Sequence, residues 1–196
     1  MNFIDLYKKV KAERLPIVVT YGGRFQPAGK HHFHAYEHLQ QKFGVDPIMT
    51  TSNKVEEGKS PFNFAEKKKI ITKMFPIQPH NVVEVKNNYN PQEVLSRLSE
   101  ETVFIAAIGE KDADRLKGGK YFEDFSKATE LKGWKEKGYY YVVPLIEEKF
   151  EGELMSGTLV RDVFKSEDRE KKERLFLALY GRMDKTIFTL LKEKLS

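Results

Sequence analysis

Two stretches of this chain gather residue types that could hold a polyphosphate. The first runs from Val18 to His32. Its short apolar run reads as a buried strand. Gly22 and Gly23 then open a loop carrying Arg24 and Phe25, which Pro27 stiffens. After Gly29 and Lys30, Phe33, Tyr36, Leu39 and Phe43 recur at helical spacing, so His31 and His32 fall in a first helical turn. A helix start offers unpaired N–H groups and the positive end of a dipole, which attract phosphate, and glycine lets a ligand approach the backbone.

The second stretch is Met155-Ser156-Gly157-Thr158-Leu159-Val160-Arg161. It puts hydroxyls at another predicted helix start. Arg161 follows Thr158 by three residues, which places both on one helix face. Hydroxyls, free N–H groups and a guanidinium can together hold a polyphosphate. Read by itself, the stretch is equally a helix capped by Ser156 with Arg161 as a surface charge. The first loop by itself is equally a turn, since it matches neither the G-x-G-x-x-G nor the P-loop spacing.

His34, Glu37 and His38 spell the H-x-x-E-H pattern of one metalloprotease class. The pattern is short, lies in a histidine-rich stretch and has no obvious third ligand, so no metal site is assigned there. His34 and His38 are expected partly exposed, with His31 and His32 facing the loop.

These stretches need elements to position them. At 196 residues one compact α/β domain is expected. Residues 3–14 read as an amphipathic helix. Strands are expected at Ile17 to Tyr21, Asp46 to Thr51, Val82 to Val85, Val103 to Ile108 and Tyr139 to Pro144. Helices are expected at about 31–43, at 64–75 with Ala65, Ile70, Ile71 and Met74 as apolar positions, and from Pro91. The piece from Gly118 to Gly138 reads as irregular, a flap or a mobile segment. After Pro144 the chain turns helical, with a short helix after Thr158 and two more at about 168–180 and 184–195. Gly181 separates those two, and Asp184 is an N-cap. Alternating strands and helices imply a parallel sheet with right-handed crossovers, and ligands sit at the carboxyl ends of its strands. The divisions expected are an N-terminal helix at 1–14, a Rossmann-like core at 15–150 and C-terminal helices at 151–196.

Hydrophobic residues make up 40% and charged residues 32%, and no run of 18 apolar residues suggests a membrane span. The first residues lack a secretory signal pattern, and cysteine is absent, which excludes disulfides and thiolate chemistry. A cytoplasmic protein is expected. The net charge of +5 suits an anionic small substrate or nucleic acid. Because the basic residues are spread out, and the run Lys67-Lys68-Lys69 reads as a solvated helix face, nucleic acid ranks last.

Gly23-Arg24-Phe25-Gln26-Pro27 with the following histidines resembles the G-R-F-Q-P-x-H-x-G-H signature of the HIGH-motif nucleotidyltransferase superfamily. Met155 to Arg161 resembles its second signature, I-S-G-T-x-x-R. Lys59-Ser60-Pro61-Phe62-Asn63-Phe64 with Glu66-Lys67 is similar to the N-P-F-T-x-x-E-R stretch of archaeal-type nicotinamide mononucleotide adenylyltransferases. Gly109-Glu110-Lys111-Asp112-Ala113-Asp114-Arg115 is similar to the G-x-x-D-A-x-R segment of phage and bacterial relatives. The likeness spans about residues 17–180.

The resemblance implies a Rossmann-like α/β sheet in order 3-2-1-4-5. It implies a nucleoside triphosphate with Mg²⁺, and transfer of the nucleotidyl group to an acceptor phosphate with release of pyrophosphate. By it, His32, Lys30 and Arg161 are catalytic. Gly22, Gly23, Arg24, Phe25, Gly29, His31, Gly109, Asp112, Met155, Ser156, Gly157 and Thr158 bind nucleotide, and Asn53, Lys59, Lys67 and Arg115 face the acceptor. AMP transfer from ATP to nicotinamide mononucleotide is the first reading. Cytidylyl transfer to a phosphorylated alcohol is the second. Both make small molecules the partners, and a homo-oligomer is left open.

The chain departs from the signature at its centre. Aligned without a gap, Gly29 stands where the first histidine belongs and His31 where the glycine belongs. A gapped alternative reads His31-His32-Phe33-His34 as the motif. The ungapped form keeps the loop length and leaves His32 in the second histidine place. One phosphate contact is then either missing or supplied by His31 from a new position, so a nucleotide-binding sensor without turnover is a third reading.

Overall fold

The computed structural model describes residues 15–117 and 119–195. The helix expected at 3–14 lies outside them. The described chain divides into two compact units. One holds the chain up to Gly23, Ala35–Ser52 and His80–Leu145, and the other holds Arg24–His34, Asn53–Pro79 and the chain from Ile146.

The first unit is a six-stranded parallel sheet. Its strands are β1 (Ile17–Gly22), β2 (Ile48–Thr51), β3 (Val82–Glu84), β4 (Val103–Ile108), β5 (Phe122–Asp124) and β6 (Gly138–Val142), in order β3-β2-β1-β4-β6-β5. β1 lies between β2 and β4, in register Gly22↔Thr50 on one side and Ile17↔Val103 on the other. The five expected strands all form, in the expected order. β4 is buried at every position, as its unbroken apolar run requires of a strand covered on both faces. Alternate residues feed opposite faces. Val18, Phe104, Ala106, Ile108 and Tyr140 pack with Val94 and Leu95 of α3 (Gln92–Leu95) and with Ala113 and Leu116 of α4 (Glu110–Lys117). Elsewhere in the unit, Phe43 from helix α1 (Lys30–Phe43) packs edge-on against Phe125 and Tyr141, at 5.4 Å each.

Residues 119–137 are mostly turns and irregular chain, as expected, apart from one short strand. That strand is the edge strand β5, parallel to β6. The Trp134 backbone N–H donates to Thr102 O at 2.8 Å and its indole N–H to Ser99 O at 3.1 Å. At Gly133 a Cβ would stand 1.9 Å from Glu100 O, so only glycine lets the two backbones pass. Three residues, two of them acidic, carry too little apolar pattern to announce a strand, although charge suits an edge.

The second unit is mainly helical. It contains α2 (Phe64–Met74), α5 (Gly157–Lys165), α6 (Arg169–Tyr180), α7 (Lys185–Leu195) and the hairpin of β7 (Lys149–Phe150) and β8 (Glu153–Leu154). Its boundaries follow local chemistry. Asn63 and Glu66 form a reciprocal capping box on α2, Asp168 caps α6, and Gly181 ends α6 at φ +73°. Asp184 accepts from Ile187 N–H at 3.0 Å, the expected cap of α7. The buried stripe of α2 is Lys67, Ile70, Ile71 and Met74, at i, i+3, i+4 and i+7. Lys67 is therefore inside, only 2% exposed, and Ala65 outside, the reverse of the expected solvated Lys67 and apolar Ala65.

Candidate functional site

The second unit contains a cavity of about 400 Å³. Arg24, Phe25, Gln26, Pro27, His31 and His32 form one wall, and Ser156, Gly157, Thr158, Val160 and Arg161 another, with Lys59 and Leu179 completing it. The two stretches singled out in the sequence thus face one space. Its lining includes three cations, Arg24, Lys59 and Arg161, and no carboxylate.

The loop is held by its own glutamine. Gln26 Nε2 donates to Phe62 O and Gln26 Oε1 accepts from Phe62 N–H, both at 2.9 Å and both buried. This pair ties the Phe25–Pro27 loop to the segment before α2. Phe25 is buried with φ +47°, a left-handed conformation that side chains other than glycine and asparagine rarely adopt. Its ring meets His32 edge-on at 5.1 Å.

His32 Nδ1 accepts from the Gly29 N–H at 3.1 Å. The neutral ring therefore carries its proton on Nε2 and presents a donor there. Burial first, and His31 second, hold its pKa well below the usual histidine range. His31 stacks at 3.9 Å on His32, tilted by 41°. Burial also lowers the His31 pKa, with the nearby Glu148 acting in the opposite direction.

Across the cavity, Ser156 Oγ accepts from Leu159 N–H at 3.1 Å and caps α5. The capping reading of Ser156 is correct. Arg161 donates to Thr158 Oγ1 at 3.1 Å, so the spacing of three does put them side by side. Gly157 sits close to the loop, since a Cβ there would lie 3.2 Å from both Gln26 O and the mobile end of Arg161, tight contacts that need a shift of a few tenths of an ångström. The N-terminal turn of α5 contributes its dipole to the same wall.

Other expected residues lie elsewhere. Lys30 runs alongside Gly181, its Nζ 3.5 Å from where a Cβ would stand there, and does not line the cavity. That position faces the carboxyl end of α6, where a cation offsets the helix dipole. Asn53 Oδ1 accepts from Phe64 N–H at 2.8 Å, a bond to the start of α2. Met155 N–H donates to Glu148 O at 2.7 Å. In the sheet unit, Gly22 closes β1 against Asn88, Gly23 N–H donates to Thr50 O, and Gly109 follows β4. Arg115 pairs with Asp112 at 3.0 Å and donates to Tyr89 Oη at 3.0 Å. His34 Nδ1 meets Glu148 at 3.1 Å, and His38 Nε2 bonds Tyr141 Oη at 2.9 Å, so each ring has its own partner. The sequence reading missed Gln26, Pro27, Val160 and Leu179 as cavity residues. Gln26 stood inside the quoted signature, but its partner Phe62 is distant in the chain.

No family model matches this chain, and no curated protein matches it in sequence. Solved structures do match it. One is Plasmodium falciparum nicotinic acid mononucleotide adenylyltransferase complexed with NaAD, at a TM-score of 0.57 and 12% identity, over 91% of this chain and 95% of that one. Another is the same Plasmodium falciparum adenylyltransferase complexed with APC, at a TM-score of 0.52 and 12% identity, over 81% and 89%. The likeness is one of fold, and it agrees with the α/β architecture and the nucleotidyltransferase resemblance read from the motifs. Among the described residues no helix is long and apolar enough to cross a membrane.

Proposed function

We propose that this chain is a nucleotidyltransferase, with AMP transfer from ATP to nicotinamide mononucleotide as the first assignment. The observation that carries it is the cavity of the second unit, where three cations, the α5 start and the His32 Nε2–H donor converge without a carboxylate. That set complements a polyanion such as a triphosphate. An oxygen of the acceptor phosphate attacks the α-phosphorus, the bond from that phosphorus to the bridging oxygen breaks, and pyrophosphate leaves. No side-chain nucleophile takes part. Arg161, Arg24 and Lys59 hold the charge that collects on the leaving group, and His32 donates to a phosphoryl oxygen. The cavity lining offers Mg²⁺ no anionic ligand. A Mg²⁺ ion would then be held by the triphosphate rather than by these residues, and would offset the charge of the phosphates.

The fold of the Plasmodium falciparum enzyme and its complex with NaAD support the adenylyl assignment over cytidylyl transfer. Incubation with ATP or CTP, Mg²⁺ and candidate acceptors tests it. NAD formation is expected, and no pyrophosphate release with any acceptor overturns the claim of transfer. The glycine at position 29 favours one second reading, a nucleotide sensor, in which ATP binds calorimetrically while turnover stays absent.

A further inference from the structure

A second cavity, of about 460 Å³, lies wholly within the sheet unit. Its size is that of a small-ligand pocket. Tyr121, Phe122 and Trp134 line one side, and Tyr89 lines it from the segment between β3 and α3. These rings belong to the apolar cluster on the α3 face of the sheet, Trp134 within it and the other three packed against it. The Trp134 N–H bonds Thr102 O just before β4, and Phe122 pairs with Gly138 at the amino ends of β5 and β6. The aromatic wall therefore stands toward the amino ends of the strands. Gly22 and Gly109 stand at the carboxyl ends, where parallel sheets ordinarily hold their ligands.

The polar ends of the rings are already bonded. Tyr121 Oη donates to Trp134 O, the Trp134 indole N–H donates to Ser99 O, and Tyr89 Oη accepts from Arg115 at 3.0 Å. Tyr121 and Phe122 meet edge-on at 4.9 Å, and Phe122 meets Phe104 at 6.0 Å, which anchors the wall to β4. The rings thus offer the pocket carbon surface suited to stacking. Its polar groups are three exposed amides beside Tyr89. Asn87 Oδ1 accepts from Tyr89 N–H at 2.9 Å, and Asn90 Oδ1 accepts from Gln92 Nε2 at 2.6 Å. These bonds leave Asn87 Nδ2 and Asn90 Nδ2 as donors and Gln92 Oε1 as an acceptor. Among the described residues no carboxylate lines the pocket, and its cation, Lys135, lies over the Trp134 ring at 4.7 Å.

We propose that this pocket binds the adenine ring of a nucleoside, as a site separate from the polyphosphate cavity. A flat heterocycle stacks on aromatic side chains, and its edge is read by hydrogen bonds. An amide donor beside an amide acceptor matches N7 and the N6 amino group of adenine. A sugar without a base brings no π face to the rings. A polyanion meets only Lys135, which already pairs with Glu100 at 3.5 Å. The site shares no residue with the cavity that carries the triphosphate reading, so the two stand independently.

Trp134 is the chain's single tryptophan, so its emission reports on this pocket. Titration of the full chain with adenosine, which carries no phosphate, is expected to change that emission saturably. Asn90→Ala combined with Gln92→Ala alters only exposed side chains and is expected to weaken adenosine binding at least about tenfold. Tyr89→Ala is expected to weaken it by at least about tenfold as well, and Tyr89→Phe to keep it, because the ring does the stacking. Inosine, with an oxygen in place of the N6 amino group, is expected to bind at least about tenfold more weakly than adenosine. No saturable change with adenosine overturns the proposal. So does unchanged affinity in the Asn90→Ala, Gln92→Ala double variant, or methyl glucoside binding as tightly as adenosine. Should Tyr89→Ala fail to fold, the double variant and inosine still decide. Calorimetry with inorganic tripolyphosphate addresses the other cavity, and its result leaves the adenosine result standing.

Discussion

Gln26 is the side chain through which the cavity loop is most exposed to a single change. In Gln26→Ala, the Phe62 N–H and C=O each lose a partner at 2.9 Å. Phe62 is 0% exposed, so water does not replace either bond without disturbing the packing. Leaving a buried donor or acceptor unpaired costs about 1–3 kcal/mol. Some relaxation at one of the two groups makes about 2–4 kcal/mol the expected loss. For a chain of this size that lowers the melting temperature by roughly 4–16 °C. Gln26→Glu separates hydrogen-bond polarity from shape. Its carboxylate still accepts from Phe62 N–H but sets a second acceptor against Phe62 O. Burial and this clash raise its folded pKa above the unfolded glutamate value of about 4.3. The variant is then penalised at neutral pH and regains stability as the pH falls and the carboxyl protonates, since a carboxylic O–H donates where Nε2 did. Urea unfolding of wild type, Gln26→Ala and Gln26→Glu at pH 7 and pH 5 measures all of this. A Gln26→Ala loss below about 0.5 kcal/mol, or a Gln26→Glu penalty indifferent to pH, refutes the reasoning.

Three further outcomes are expected. Gly22→Ala puts a Cβ 2.8 Å from Asn88 Cβ, and overpacking of this kind destabilises by about 1–3 kcal/mol, read by thermal unfolding. Ser156→Ala removes the α5 cap and costs about 1 kcal/mol, whereas Ser156→Asp keeps the cap but sets a carboxylate at the cavity wall, so it is expected to fold normally and to bind tripolyphosphate more weakly. The Ile187 N–H, followed by Lys73, holds the Asp184 carboxyl below the usual carboxylate range. Its contribution is complete above the unfolded aspartate value of about 3.9 and fades as the pH falls through the lower folded value, so acid unfolding of Asp184→Asn is expected to show a shallower loss over that range.

Particular residues show why some of this was legible in the sequence. The six apolar residues of β4 allow little but a strand buried on both sides. Gly181 and Asp184 punctuate the last two helices through backbone chemistry that acts within four residues, and sequence displays such short-range effects. The relations that build the cavity are of another kind. Gln26 and Phe62 meet through side chain and backbone across 36 residues of chain, and nothing local marks either as a partner. Leu179 looks like any core leucine of a helix until α6 packs it over Gly29. Lys67 sits on the buried stripe of α2, but its charge argued for the surface. The space shared by Gly29 and His31, where a Cβ on Gly29 would stand 3.4 Å from the His31 ring, is a three-dimensional fact. In the sequence it was a transposition, and in the structure it is one imidazole filling the room that the neighbouring residue vacates.

The parallel sheet also sets an order of assembly. β1 is made first, yet one of its two neighbours, β4, begins only at Val103, and β4 in turn waits for β6 at Gly138. The cavity waits longer still, because its second wall starts at Ser156 and its last contributor is Leu179. Such distant pairings close slowly, since the loops between them must be ordered before the contacts repay that cost. A nascent chain leaving the ribosome therefore carries Arg24, His31 and His32 through most of its synthesis with no opposite wall. Its capacity to hold an anion arises only when the last helices have emerged, which ties the appearance of the site to completion of the fold.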